Sequence, residues 1–165
     1  MTAVHNMPPI YDENSEILIL GSFPSVKSRK AKFYYETPQN RFWRVIAAVF
    51  EQNVPRTVEE KPAFLLRNRI ALWDVIASCE IEGSSDQTIR NAVPNDLTPI
   101  LSTANIRQIF VNGKKAEQLF NKLISPKIGR KAICLPSTSP ANASKSPEQL
   151  IEAWRVIRSD MRRQT

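Results

Sequence analysis

Short apolar runs, separated by segments of helical length, constrain this fold more than any other feature of the chain. The first, Ile17-Leu18-Ile19-Leu20, is bounded by Glu16 and Gly21. No polar residue alternates through it, so it fits a strand covered on both faces, as in a parallel sheet. Further strands are expected over Ile70–Val75, Ile106–Val111 and Ala132–Leu135. Helices are expected between them. Thr37 can N-cap one with Pro38 in its first position and Phe42, Trp43, Val45, Ile46, Val49 and Phe50 close to full burial. Thr57 to Asn68 carries a Thr-x-x-Glu capping box through Glu60. Ser85 to Ala92 reads as a short helix, Asn95 as the cap of another to about Thr103, and Asn112-Gly113 as the turn into a Lys-rich helix to about Leu123. In the last helix Ser146, Pro147 and Gln149 form the start. Leu150, Ile151, Trp154, Ile157 and Met161 share one face, with Arg155, Arg158, Arg162 and Arg163 elsewhere. The alternation implies an α/β fold: three layers, α/β/α, around a central four-stranded, mainly parallel sheet. Residues 1–165 are read as one domain, with residues 1–15 a peripheral polar leader.

The chain has a net charge of +7, and the excess of Lys and Arg favours polyanionic partners. No apolar run is long enough to span a bilayer, and MTAVHNMPPIYDENSE has no apolar signal-peptide core, so a cytoplasmic protein is expected. Cys79 and Cys134 are far apart and form no CxxC. They suit small core-side residues, not a cluster or zinc site, and neither metal nor cofactor is expected. His5, the sole histidine, lies in the leader, which argues against a Ser-His-Asp triad. No obligate protein partner is indicated.

In parallel sheets ligands bind beyond the carboxyl ends of the strands. After the first strand comes Gly21-Ser22-Phe23-Pro24-Ser25, either a structural turn or a loop whose amides and exposed Phe23 meet a base. Asp74 closes the second strand in apolar surroundings, as a functional acceptor or a turn cap. Gly113-Lys114-Lys115 opens a helix, as a phosphate contact or a solvated pair, and lacks P-loop spacing. After the fourth strand, LPSTSPANA is a stiff hydroxyl-rich loop, generic or suited to DNA phosphates. Together these put donors and a stacking aromatic on one rim of a basic domain, a combination suited to a flipped nucleobase.

The order ILILGSFPS, YYETPQNRFWRVI, IALWDVIASC, IFVNGKKAEQLF, LPSTSPANA resembles the uracil-DNA glycosylase superfamily, closest to its hypoxanthine-DNA (deoxyinosine) glycosylase branch. The likeness covers residues 16–160, and PQNRFW and LPSTSPANA are its most specific parts. It implies a monofunctional glycosylase that cuts the N-glycosidic bond of a deaminated base, with DNA as partner. Phe23 stands where related mismatch-specific uracil enzymes carry a catalytic Asn. The first-loop aspartate of the classical uracil enzymes and their second-loop HPS histidine are absent too. In the hypoxanthine branch the implied catalytic residue is the Asn of the NRFW motif, here Asn40, which could otherwise serve only to satisfy backbone N–H groups at a helix start.

On that reading Gly21, Ser22 and Phe23 offer backbone contacts to the base, and Tyr35 matches the stacking aromatic. Asp74, by position alone, accepts the ring N–H of hypoxanthine. Ser25, Lys114, Ser137, Thr138, Ser139 and Asn142 hold DNA. Two other readings stand beside it: a uracil or mispair glycosylase of the same fold, and a non-catalytic DNA-binding module on that scaffold.

Overall fold

A computed structural model describes residues 2–159 and 161 of the chain. Along the chain lie β1 (Thr2–Val4), β2 (Ile17–Gly21), α1 (Val26–Ala31), α2 (Phe42–Val49), α3 (Glu60–Arg67), β3 (Ile70–Asp74) and β4 (Ile76–Glu80). After a single 3-10 turn at Asp86–Thr88 come β5 (Arg90–Pro94), α4 (Thr98–Thr103), β6 (Gln108–Asn112) and α5 (Lys114–Leu123). The chain continues through α6 (Ser125–Ile128), β7 (Ala132–Leu135), α7 (Pro147–Trp154) and α8 (Val156–Ser159). Among the described residues no helix is long and apolar enough to cross a membrane.

The four expected strands form one sheet in the order β3-β2-β6-β7, and every pairing is parallel. β2 lies inside it, and Ile17, Leu18, Ile19 and Leu20 are all fully buried. Its continuous apolar run follows from cover on both faces. Ile17 and Ile19 pack into the cluster that holds Phe42, Ile46, Phe64 and Trp154 of α2, α3 and α7. Leu18 and Leu20 pack into the cluster that holds Ile76, Ile100 and Phe120 of β4, α4 and α5. Each such side chain contributes roughly 1.5–3 kcal/mol through burial. The strand order reverses about β2: the chain moves from β2 to β3 on one side, then crosses to β6 on the other. The crevice between the carboxyl ends of β2 and β6 is therefore the switch point, where α/β sheets bind ligands.

A second sheet, β1-β4-β5, is antiparallel. It was not legible in the sequence, and residues expected as a helix over 85–92 instead form the 3-10 turn and β5. The leader is not peripheral: β1 pairs with β4, Ile10 bridges Leu72, and Met7 is buried.

Other boundaries shift for local reasons. α2 starts at Phe42, not Pro38, because residues 37–40 form a turn closed by Asn40 N–H to the Thr37 carbonyl (2.9 Å). α3 starts at Glu60; the Thr57 hydroxyl accepts from Glu60 N, but the Glu60 carboxylate reaches Arg56 N instead of completing the box. Asp96, not Asn95, accepts from Thr98 N, while Asn95 Nδ2 donates to the Asp74 and Ile76 carbonyls. The capping box of the last helix is complete, but the helix breaks at Arg155 into α7 and α8. Arg162 and Arg163 lie outside the described residues.

Candidate active site

At the switch point lies a cavity of about 240 Å³. Pockets for drug-sized ligands run to roughly 300–1,000 Å³, so this one suits a single ring system. Gly21, Asp74 and Asn112, the last residues of β2, β3 and β6, bring the strand ends to it. The loops 22–25, 34–40, 84–86 and 137–141 supply its rim.

Gly21 is a contact requirement. A Cβ built on it would lie 2.5 Å from Asp74 Oδ1 and 2.9 Å from the Tyr35 hydroxyl. Only glycine lets both polar groups close over the end of β2. The Asp74 side chain is nearly buried, and its Oδ2 accepts from His5 Nε2 at 2.9 Å. Oδ1 has no protein donor among the described residues, and Asp74 lines the cavity. Tyr35 stacks one ring face on Phe42, with centroids 4.1 Å apart and planes 16° apart, which leaves the other face and the ring edge for the cavity. Its φ of 56° is a left-handed conformation that costs a bulky residue roughly 1–3 kcal/mol. Flanking bonds hold it there: Trp43 Nε1 donates to the Tyr34 carbonyl, and Glu36 N to Ser28 Oγ. Burial, then the charge of Asp74, pushes the Tyr34 and Tyr35 hydroxyls far above the usual tyrosine range, so both stay protonated.

A chain of hydrogen bonds, buried at its Asn112–Thr138 end, fixes Asn40. Phe42 N–H donates to its Oδ1 at 2.9 Å, and the Thr138 hydroxyl donates to the same oxygen at 2.9 Å. Asn112 Nδ2 donates to Thr138 Oγ1 (3.0 Å) and to the Tyr35 hydroxyl (3.3 Å), and Asn112 Oδ1 accepts from Thr138 N. A backbone N–H can only donate, so the atom it meets on Asn40 must be the oxygen. The amide orientation is thereby set, and Nδ2, without a protein partner among the described residues, is the donor left for the cavity that Asn40 lines.

The structure brings together Gly21, Ser22, Phe23, Ser25, Tyr35, Asn40, Asp74, Ser137, Thr138 and Ser139 around the cavity. Several hold it differently from expectation. Phe23 is buried, not exposed, and meets the edge of His5 and the Arg29 guanidinium. Thr138 is fully buried and its hydroxyl is spent on Asn40, so it is a brace and not a phosphate contact. Ser25 N-caps α1 and bonds the Thr37 hydroxyl. Asn142 and Lys114 lie outside the cavity lining. Asn142 Nδ2 donates to the Ser137 carbonyl within its own loop, and Lys114 is exposed. Arg41 lies outside the cavity lining. It donates to the Ser139, Asn142 and Lys145 carbonyls and ties the loop to the start of α2.

Sequence reasoning missed His5, Asp86 and Asn112. Asn112 had a signal, being a polar residue that closes an apolar strand as Asp74 does. Asp86 had none in its neighbourhood. Its Oδ1 accepts from the Ser22 hydroxyl at 2.9 Å, and it lines the cavity. Desolvation by the surrounding protein raises its pKa above the usual carboxylate value, with a further push from Asp74, against the pull of Ser22 and Lys115.

Known proteins resemble this chain in sequence and in overall fold. The profile of the uracil DNA glycosylase superfamily matches residues 8–158. A hypoxanthine DNA glycosylase of Methanosarcina acetivorans is 39% identical over 152 residues, covering 91% of this chain and 94% of the relative. One of Methanosarcina barkeri is 34% identical over 137 residues, covering 82% and 85%. The solution structure of a candidate uracil DNA glycosylase from M. acetivorans superposes with a TM-score of 0.78 at 34% identity, covering 96% of this chain and 99% of that one. With the profile matched over residues 8–158 and relatives 34–39% identical over most of their length, the chain belongs to the uracil DNA glycosylase superfamily.

Proposed function

We propose that this protein is a monofunctional DNA glycosylase that excises hypoxanthine from deoxyinosine in DNA, the first step of base excision repair, and acts in the cytoplasm. The names of the two Methanosarcina relatives support the substrate. The observation that carries the chemistry is the fixed amide of Asn40, with its oxygen doubly occupied and its Nδ2 left for the cavity.

The nucleotide turns out of the stack, and its base enters the cavity against Tyr35. Base stacking on an aromatic is worth roughly 1–3 kcal/mol. The C–N bond then breaks with its electron pair going to the base, and the sugar becomes cationic. Asn40 Nδ2–H donates to the base as that charge grows; a fixed donor of this kind stabilises the transition state without reorganising. Asn40 is thus a donor to the leaving group and not a proton acceptor, since its oxygen has no free lone pair to offer. Water adds to the sugar carbon and gives up a proton while the departed base anion takes one up, leaving an abasic site and neutral hypoxanthine. Asp74 Oδ1 accepts the N1–H of hypoxanthine. Adenine carries a lone pair at that atom, which a carboxylate repels, so the undamaged parent base is refused. Exposed Lys27, Lys30 and Lys32, on and beside α1, supply phosphate contacts next to the cavity, and the hydroxyls of Ser137 and Ser139 point donors from its rim.

The test is one cleavage assay on duplexes containing inosine, uracil, xanthine or a thymine mispair, with alkali to reveal abasic sites. Inosine is expected to be cut fastest. Equal or faster cutting at uracil would overturn the hypoxanthine assignment in favour of the uracil or mispair reading. Binding without alkali-labile sites on any substrate would leave the non-catalytic DNA-binding reading.

A further inference from the structure

The N-terminal segment delivers one imidazole to the base-reading carboxylate. β1 pairs with β4 through Thr2–Glu80 and Val4–Ser78, and His5 N–H donates to the Ala77 carbonyl at 2.7 Å. Beyond His5, Trp73 Nε1 donates to the Met7 carbonyl at 3.2 Å, the Tyr34 hydroxyl donates to the Pro8 carbonyl at 2.8 Å, and Ile10 bridges Leu72. The strap is therefore anchored on both sides of His5. The side chain between the anchors is 2% exposed and is boxed by the rings of Phe23, Tyr34 and Trp73, with centroids 6.0–6.2 Å away. An imidazole there needs a partner for each nitrogen. Met7 N–H donates to Nδ1 at 3.3 Å, so Nδ1 is the acceptor and the ring proton sits on Nε2. That proton points at Asp74 Oδ2, 2.9 Å away.

We propose that His5 is a positioning residue: by holding Asp74 Oδ2 it fixes the carboxylate so that Oδ1 faces the cavity and accepts the ring N–H of the bound base. The inference rests on the glycosylase reading above and adds a residue to it. Without the imidazole, Asp74 has a second oxygen unsatisfied beside its apolar neighbours, and the carboxylate turns to find another donor. Base recognition then loses its geometry although Asn40, on a different loop, is untouched. The two oxygens of Asp74 thus have different tasks, and the first residues of the chain complete the site.

Two substitutions separate positioning from packing. His5→Leu keeps apolar bulk in the aromatic box and removes the donor; His5→Gln places an amide N–H near the position of Nε2. Each is compared with wild type on inosine and uracil duplexes in single-turnover cleavage, with circular dichroism and Tm to confirm folding. His5→Leu is expected to lower kcat/KM for inosine on the order of tenfold to a hundredfold, as loss of a hydrogen bond to a charged group does, and to change the inosine-to-uracil ratio. His5→Gln is expected to recover most of the loss. On an Asp74→Asn background the further effect of His5→Leu should vanish, because the partner it acts through is gone.

Equal activity of the Leu and Gln variants, whether high or low, would overturn the proposal, as would an undiminished effect of His5→Leu in the Asp74→Asn protein. If His5→Leu fails to fold, the Gln variant decides alone: a preserved inosine-to-uracil ratio and rate support the donor role, and a loss of both in a folded protein overturns it. Wild-type protein that cuts no deaminated duplex would instead sink the glycosylase reading itself, which is a separate result.

Discussion

Both ends of the parallel sheet are hollow, and the amino end is the roomier, about 530 Å³ against about 240 Å³ at the carboxyl end. Yet the proposed chemistry uses the smaller space. The amino-end cleft is lined by Glu13, Glu16, Arg67, Arg69 and Arg107, and Glu16 is paired with Arg69 and Arg107. Arg69 Nη1 lies 2.8 Å from Glu16 Oε2, Arg107 Nη1 lies 3.8 Å from Glu16 Oε1, and Arg67 donates to Gln52. At the carboxyl end each key group is held by one half and open by the other: Asn40 by its oxygen, Asp74 by Oδ2. Paired charges close a surface, whereas polar groups that keep an open donor or acceptor toward a cavity can take a ligand.

The sharpest way to break this contrast is at Asn40. Asn40→Ala removes the donor proposed to meet the leaving base, and loss of such a donor costs roughly 10²–10³-fold in rate. Single-turnover cleavage of an inosine duplex should fall by that much, while DNA affinity measured by fluorescence anisotropy stays near wild type. A rate within about threefold of wild type would take Asn40 out of the mechanism, on the order of 0.7 kcal/mol being all it could then supply.

Gly21→Ala should come next. The new methyl would meet Asp74 Oδ1 at 2.5 Å and the Tyr35 hydroxyl at 2.9 Å, and both are tethered, by His5 and by Asn112. Misplacing reacting groups by about 1 Å can cost ~10²-fold, so a loss of that order in kcat/KM is expected with the fold intact. Wild-type kcat/KM would show that Asp74 and Tyr35 are not used where they stand.

Much of the carboxyl end was legible in the sequence, and the reasons are local. ILIL is apolar throughout because helices and strands cover both of its faces, so strand, burial and parallel pairing followed together. Asp74 and the SPANA loop follow strand ends in the chain, so their place at the cavity followed from topology. Asn40 owed its assignment to family resemblance, since a polar residue near a helix start is otherwise a cap. Its oxygen does cap Phe42 N–H, and its nitrogen is left for the cavity, where the proposed catalytic role places it. What could not be read depends on long-range pairing. His5 reaches Asp74 across 69 positions of sequence because β1 joins β4, and three-residue β1 has no periodicity to announce it. β5 reads as helix locally and is a strand only because β4 offers it an edge. Asp86 follows the Gly83-Ser84-Ser85 stretch and enters the cavity through a hydrogen bond from Ser22, 64 positions away.

Asp86 tests the same contrast through pH. Its folded pKa is raised above the ordinary 3.8, chiefly by desolvation. As pH rises from that value, the unfolded chain gives up its proton first, so stability falls until pH passes the folded pKa and then levels off. Asp86→Asn keeps an acceptor for Ser22 and removes the cost. Asp86 is exposed, so solvent screens much of that cost; the variant's Tm should exceed wild type only slightly at pH 7, and the gain should shrink to nothing as pH drops toward 3.8. A gain independent of pH would show that the carboxylate carries no such cost.

The smallest effect is expected at the other end of the sheet. Arg107 sits 3.8 Å from Glu16, is 44% exposed, and shares that partner with the closer Arg69. Pairs of this kind are worth about 0–1 kcal/mol, and Glu16 keeps Arg69 when Arg107 is truncated. The backbone N–H of residue 107 still donates to the Glu16 carbonyl at 2.7 Å whatever the side chain, so the strand entry is preserved. Arg107→Ala should therefore leave inosine cleavage unchanged and shift the denaturation midpoint by no more than about 0.5 kcal/mol in stability. A severalfold fall in cleavage with the fold intact would mean that the larger cleft takes part in DNA binding after all, and that the division of labour between the two ends of the sheet is drawn in the wrong place.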